Sequence, residues 1–210
     1  TRETEAAESV GESAGEGGSE PAERVDVLVK LIRLLAHLAI SPAIGERIAT
    51  HGHSLALLRV LQTFTMEGAE ELQLNTISAV TNLSYYLVEG SVLLAEHEAL
   101  CKALIPVLVF PNTEGMIEAA RALGNLSRMQ DARATICRVR VHEALLLPLD
   151  HTSSQVAEGA CGALINLAAD AHTREKLLEA GAAPKLADLL LETAVLGCSC
   201  AGSSLSGGGS

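Results

Sequence analysis

Aromatic side chains are almost missing from this sequence: two Tyr, two Phe and no Trp in 210 residues. A core built without them must come from Leu, Ala, Ile and Val, which suits close helix packing and argues against an aromatic-rich β-sandwich. Long apolar runs are missing too, and nothing approaches the roughly 18 to 20 unbroken apolar residues of a membrane span. Positive charge is scarce: 15 Lys and Arg face 26 Asp and Glu, a formal net charge of −11. There is neither a basic footprint for nucleic acid nor a basic run for an anionic membrane surface. The N-terminus is acidic and Gly-rich, unlike a secretory signal peptide. The five cysteines, Cys101, Cys137, Cys161, Cys198 and Cys200, form no regular framework, which fits a reducing, cytoplasmic compartment. His51 with His53 and Cys198 with Cys200 each supply two potential ligands and no second pair at zinc-site spacing. No nucleophile elbow, P-loop or dinucleotide fingerprint occurs. The expectation is a non-enzymatic protein without catalytic residues, cofactor or metal.

What the chain does contain is a signature that returns four times. It reads Leu34-Leu35-Ala36-His37-Leu38-Ala39, Ala79-Val80-Thr81-Asn82-Leu83-Ser84, Ala122-Leu123-Gly124-Asn125-Leu126-Ser127 and Ala163-Leu164-Ile165-Asn166-Leu167-Ala168. The polar residues at its centre are spaced 45, 43 and 41 residues apart. Around each lies an apolar set at offsets of −6, −3, −2 and +1: Leu31, Leu34, Leu35 and Leu38 in the first copy, Ala160, Ala163, Leu164 and Leu167 in the last. Those offsets trace one stripe on a 3.6-residue helix. Fifteen residues after the polar position stand Gly52 and Gly181, where a left-handed glycine would end a short helix and turn the chain. Pro184 then suits the first turn of the next helix. The unit is therefore short helix, bend, helix, loop, long helix. A helical period of about 40 to 47 residues is that of armadillo and HEAT solenoids, and three helices per unit favour the armadillo form. Each unit leaves an apolar face that only a neighbour can cover.

The expected organisation is all-α, a right-handed armadillo-repeat superhelical solenoid with three full repeats and partial repeats at both ends. Residues 1–22, rich in Glu, Gly and Ser, read as a disordered acidic tail carrying −5 of the charge. Residues 23–192 form the solenoid: a partial unit at 23–40, full units at 41–87, 88–129 and 130–170, and a partial unit at 171–192. Residues 193–210 read as a flexible Gly/Ser/Cys tail that cannot supply a further helix. Pro106 and Pro148 fall in second helices and should kink or shorten them. Neither end carries an evident polar cap, so the chain reads as part of a longer array or as one whose ends are otherwise covered, exposing apolar surface and tending to self-associate.

The wording of several segments carries a resemblance. Glu71 to Thr76 running on to Thr81-Asn82-Leu83-Ser84-Tyr85-Tyr86, Asn112 to Arg121 with Gly124-Asn125-Leu126-Ser127, and Ala160 to Leu167 resemble the armadillo-repeat family over residues 24–192. They are most similar to its branch associated with assembling the axoneme of motile cilia and flagella. That resemblance implies an adaptor for radial-spoke or intraflagellar-transport components, localised to the cilium, with no nucleic acid and no membrane insertion. A regulatory or substrate-binding arm of a larger protein, such as a ubiquitin ligase, is the alternative. The residues expected to touch a partner lie on the inner helices, at the polar position and four before it: Arg33 and His37, Ser78 and Asn82, Arg121 and Asn125, Gly162 and Asn166. Asn amides both donate and accept, which suits the backbone of an extended peptide, and the Arg side chains suit its acidic residues. Asn at this place could instead satisfy local backbone near the helix end. Importin-α-type relatives place Trp four before the Asn; this sequence has none, and two of those positions hold Arg, which argues against a basic import signal as ligand.

Overall fold

The computed structural model describes the backbone of residues 19–86 and 88–203 and the side chains of 23–86 and 88–194. Residues 1–18, most of the expected acidic tail, lie outside it. Helix α1 is Ser19–Leu38, starting inside the stretch read as tail. A first unit follows: α2 (Pro42–Ala49), a 3-10 turn at Gly52–Ser54, α3 (Leu55–Thr63) and α4 (Glu70–Tyr85). The second unit is α5 (Val92–Ala95), α6 (His97–Val109) and α7 (Thr113–Ser127). The third is α8 (Gln130–Arg138), α9 (Val141–Ala144), a 3-10 turn at Pro148–Asp150 and α10 (Ser154–Leu167). Helices α11 (Ala171–Glu179) and α12 (Ala182–Ser203) close the described chain. Helix α12 runs on well past 192, through the stretch expected to be a flexible tail. Its apolar run continues into Ala194-Val195-Leu196, and no proline interrupts it after Pro184.

The inner helices α1, α4, α7 and α10 stack in series, and the core runs along their shared faces. The expected stripe is buried in three of the four: Thr76, Ala79, Val80 and Leu83 in α4, then Ala119, Ala122, Leu123 and Leu126 in α7, then Ala160, Ala163, Leu164 and Leu167 in α10. Each buried leucine contributes about 1.5–3 kcal/mol, and the small residues between them let the backbones approach. Gly159 marks a close approach of α10 to α7, where a Cβ would lie 3.1 Å from the Ala120 Cβ. In α1 the expectation fails. Leu31, Leu34 and Leu38 are exposed, Leu34 at 58%, while Val29, Ile32, Ala36 and Ala39 face inward. The stripe common to the four copies is the one a preceding unit covers, and none packs there among the described residues.

The prolines act as chain chemistry requires. Pro106 sits near the end of α6, which stops at Val109. Pro148 starts a 3-10 turn, so the second helix of the third unit is reduced to α9 and that turn. The bend glycines divide. Gly181 takes the left-handed conformation, φ 83°. Gly52 does not; it opens a 3-10 turn. At the equivalent point of the third unit the left-handed residue is Arg140, φ 64°, whose guanidinium makes two hydrogen bonds, 2.8 and 2.6 Å, to the Glu143 carboxylate. The Cys101 and Cys137 thiols are free and buried, and burial pushes Cys101 up to about 12, far from a reactive thiolate.

Candidate functional site

The three Asn of the signature line one groove of about 550 Å³, formed by the C-terminal halves of α4, α7 and α10. Each amide nitrogen reaches back one unit. Asn82 Nδ2 donates to the Ala36 carbonyl at 3.0 Å. Asn125 Nδ2 donates to the Thr81 carbonyl at 3.0 Å and the Ser84 hydroxyl at 3.1 Å. Asn166 Nδ2 repeats the pattern on the Gly124 carbonyl at 3.1 Å and the Ser127 hydroxyl at 3.0 Å. The amide donors therefore pin each unit to its predecessor, across units rather than to local backbone. Among the described residues the three Oδ1 atoms accept no hydrogen bond, and they remain as a row of acceptors at half-buried positions of one groove.

The other expected residues divide. Arg121 and Gly162 line the same groove, with Arg121 held 2.9 Å from the Glu118 carboxylate. Arg33, His37 and Ser78 are not brought to it. Arg33 pairs with Glu71 at 2.5 Å and donates to Asn75 Oδ1 at 3.2 Å, tying α1 to α4 along their outer edge. His37 folds onto its own helix, its Nδ1 donating to the Arg33 carbonyl at 2.8 Å. Where His stands in the Asn position the ladder has no rung.

Two groove residues escaped the sequence reading. Tyr85 is 62% exposed, and Arg128 stacks over its ring at 5.6 Å while donating to its carbonyl at 3.1 Å. Arg121 and Arg128 thus make a cationic patch on an acidic chain. Spacing from the Asn could have found a further set. Arg133 and Arg174 each stand eight residues after the ladder Asn and donate to the carbonyls two and three after it: Ser127 and Arg128 at 3.1 Å each, Ala168 and Ala169 at 2.8 and 3.1 Å. They satisfy orphan carbonyls at the inner-helix ends. Arg133 also pairs with Asp170 at 2.5 Å, which holds that carboxyl below its ordinary range. Eight residues after His37 stands Gly45, and the Tyr86 hydroxyl, from the far end of the same unit, donates instead, to Ala39 at 2.8 Å and Ile40 at 3.0 Å. Gly45 is required there, because a Cβ would collide with the Tyr86 ring and lie 2.7 Å from the Ala39 carbonyl oxygen.

Inner helices stacked in series, three-helix units and an Asn ladder joining them define one architecture, and the chain overlays a computationally designed armadillo repeat protein for modular peptide recognition with a TM-score of 0.69 at 24% identity, covering 83% of this chain and 71% of that one. The chain folds as an armadillo-repeat solenoid. A designed armadillo repeat protein in complex with the peptide (KR)4 is also similar, TM-score 0.65 at 23% identity over 82% of this chain and 79% of that one. In sequence the armadillo segment is 39% identical over 171 residues to the bovine armadillo repeat-containing protein 2 and 37% identical over 171 residues to the human one. Both alignments take in 81% of this chain, which spans about a fifth (20%) of those relatives' length. No protein-family model matches the sequence. Among the described residues no helix is long and apolar enough to cross a membrane. His51 and His53 stack on one another, ring centroids 4.8 Å apart, and no group of three or more His, Cys, Asp or Glu gathers among the described residues to hold a metal. The side chains of Cys198 and Cys200 lie outside the described ones.

Proposed function

We propose that this armadillo protein is a non-enzymatic binding scaffold whose inner-helix groove receives an extended segment of a protein partner. The observation that carries the reading is the row of Oδ1 acceptors on Asn82, Asn125 and Asn166, spaced by one unit each and flanked by Arg121 and Arg128. Rigid helices hold these groups in place before the partner arrives, so little is lost in ordering them. The amide oxygens accept backbone N–H groups of the segment, and the two guanidiniums attract its acidic side chains. The designed protein bound to (KR)4 takes a basic peptide; this groove has the opposite charge preference. Similarity to armadillo repeat-containing protein 2 supports placing the scaffold in assembly of the motile cilium or flagellum axoneme, carrying radial-spoke or intraflagellar-transport components.

The test is affinity capture from ciliated-cell extract with mass spectrometry, wild type beside an Arg121→Glu/Arg128→Glu variant. Both side chains are exposed, so the variant keeps its helical circular dichroism. Radial-spoke or transport proteins held by wild type and depleted at least tenfold by the variant are the expected result. Equal retention by the variant removes the groove as the site, and ubiquitin-pathway partners in place of axonemal ones overturn the cellular role.

A further inference from the structure

A cavity of about 1050 Å³ shares no residue with the inner-helix groove. It lies between the second helices of adjacent units, α3 and α6, and the loop that follows α3 closes one side. Both phenylalanines of the chain line it. They occupy the same place in consecutive units, each the residue that ends the second helix: Phe64 after α3 and Phe110 after α6. Met66, Val107 and Val109 extend the apolar wall, with Val109 50% exposed. In a chain this poor in aromatics, that concentration on one partly open surface stands apart from the Leu/Ala packing of the core.

The unpaired charged groups of this cavity share one sign. Gln73, 2% exposed, donates through Nε2 to the Phe64 carbonyl at 2.5 Å, which fixes the Phe64 turn, and its Oε1 is buried without a partner. Pro106 has no N–H, so the Lys102 carbonyl on the same wall loses its helical donor. Glu67 and Glu96 stand on the rim without an ion pair among the described residues. The only cation there, Lys102, is held at 2.8 Å by Glu98, which Arg138 and Lys102 together depress to about 2. The charged groups left unpaired in the cavity are therefore both anions, beside the buried Gln73 acceptor and an aromatic floor.

We propose that this outer cavity is a second docking site, and that its occupant is a donor-rich basic segment of a partner protein carrying large apolar side chains between Lys or Arg residues. The apolar side chains fill the space between Phe64, Met66, Val109 and Phe110. The flanking cations meet Glu67 and Glu96, and backbone N–H groups meet the Lys102 carbonyl. The two grooves then select opposite charge, acidic on the inner helices and basic on the outer ones, so one chain holds two unlike partners at once.

Fluorescence anisotropy with a labelled six-residue peptide, Leu-Phe between two Lys-Arg pairs, tests this on the whole chain. Its partner probe has Ser-Ser in place of Leu-Phe. Saturable binding of the first, at least tenfold tighter than the second, is expected. Val109→Ser/Phe110→Ala and Glu67→Lys/Glu96→Lys should each weaken it at least tenfold, while Arg121→Glu/Arg128→Glu in the other groove leaves it no weaker. The Glu variant changes only exposed rim residues, so it stays folded even if the Phe110 variant does not. Equal binding of the two peptides would reduce the effect to attraction by an acidic protein and overturn the proposal. So would an unchanged affinity in the Glu variant, or no saturable binding at all.

Discussion

Asn125 is the residue on which most converges, since its amide serves two acceptors of the preceding unit and its oxygen lies in the groove. Removing it costs two hydrogen bonds, one to the Thr81 carbonyl, which keeps the Ser84 hydroxyl as donor, and one to that hydroxyl, a loss of about 0.5–1.5 kcal/mol each. Asn82 makes one such bond. Urea unfolding should therefore rank Asn125→Ala below Asn82→Ala in midpoint, with both below wild type; the reverse order would mean that the ladder does not join units as its geometry indicates. His142 supplies a pH dependence. It is buried, its Nδ1 has no hydrogen-bond partner, and burial lowers its pKa below the ordinary 6.5. As pH falls below that value the unfolded chain takes up the proton first, so stability declines towards the folded pKa and levels off beneath it. The melting temperature of wild type should drop between about pH 7.5 and about pH 5, and His142→Leu should flatten that drop.

Among the elements, α7 and α10 test how closely helices approach. Gly162 lies within α10 with open space where a Cβ would stand, so Gly162→Ala should gain about 0.5–1 kcal/mol by favouring the helix. Gly45→Ala in α2 should do the opposite, losing about 1–3 kcal/mol as the Tyr86 ring and the Ala39 carbonyl are forced apart. Thermal melts of the two variants beside wild type decide both. Helices α4, α7 and α10 were legible in the sequence because each has a preceding inner helix packed on it, and burial of that face imposes the 3.6-residue stripe. Helix α1 carries the same letters but has a neighbour on one side, and a stripe does not say whether anything covers it. The ladder residues were legible as a set. Their hydrogen-bond direction was not, because an Asn that reaches a partner and an Asn that reaches the previous unit share one sequence pattern. Tyr86 was hidden for another reason: it does from the far end of its unit what Arg133 and Arg174 do locally.

At the scale of the molecule, apolar surface collects at both ends of the stack. Leu31, Leu38 and Ile44 border an open cleft of about 680 Å³ at one end, and Leu34 is exposed on the same helix as the first two. Ile165, at 70% exposure, and Leu178 and Leu186 border one of about 430 Å³ at the other. The isolated chain should self-associate with rising concentration, and Leu34→Glu with Ile165→Glu should shift its sedimentation towards the monomer. A wild type that stays monomeric up to about 100 µM, a concentration at which exposed patches of this kind associate, would mean that the ends are shielded. The ladder has a consequence of its own. Thr81 and Ser84 offer Asn125 the same carbonyl and hydroxyl that Gly124 and Ser127 offer Asn166. If residues 88–129 were excised, Asn166 would meet Thr81 and Ser84 with nothing to relearn. Each joint is interchangeable with the next, so the array can shorten or lengthen by whole units while every surviving seam closes in the way it did before.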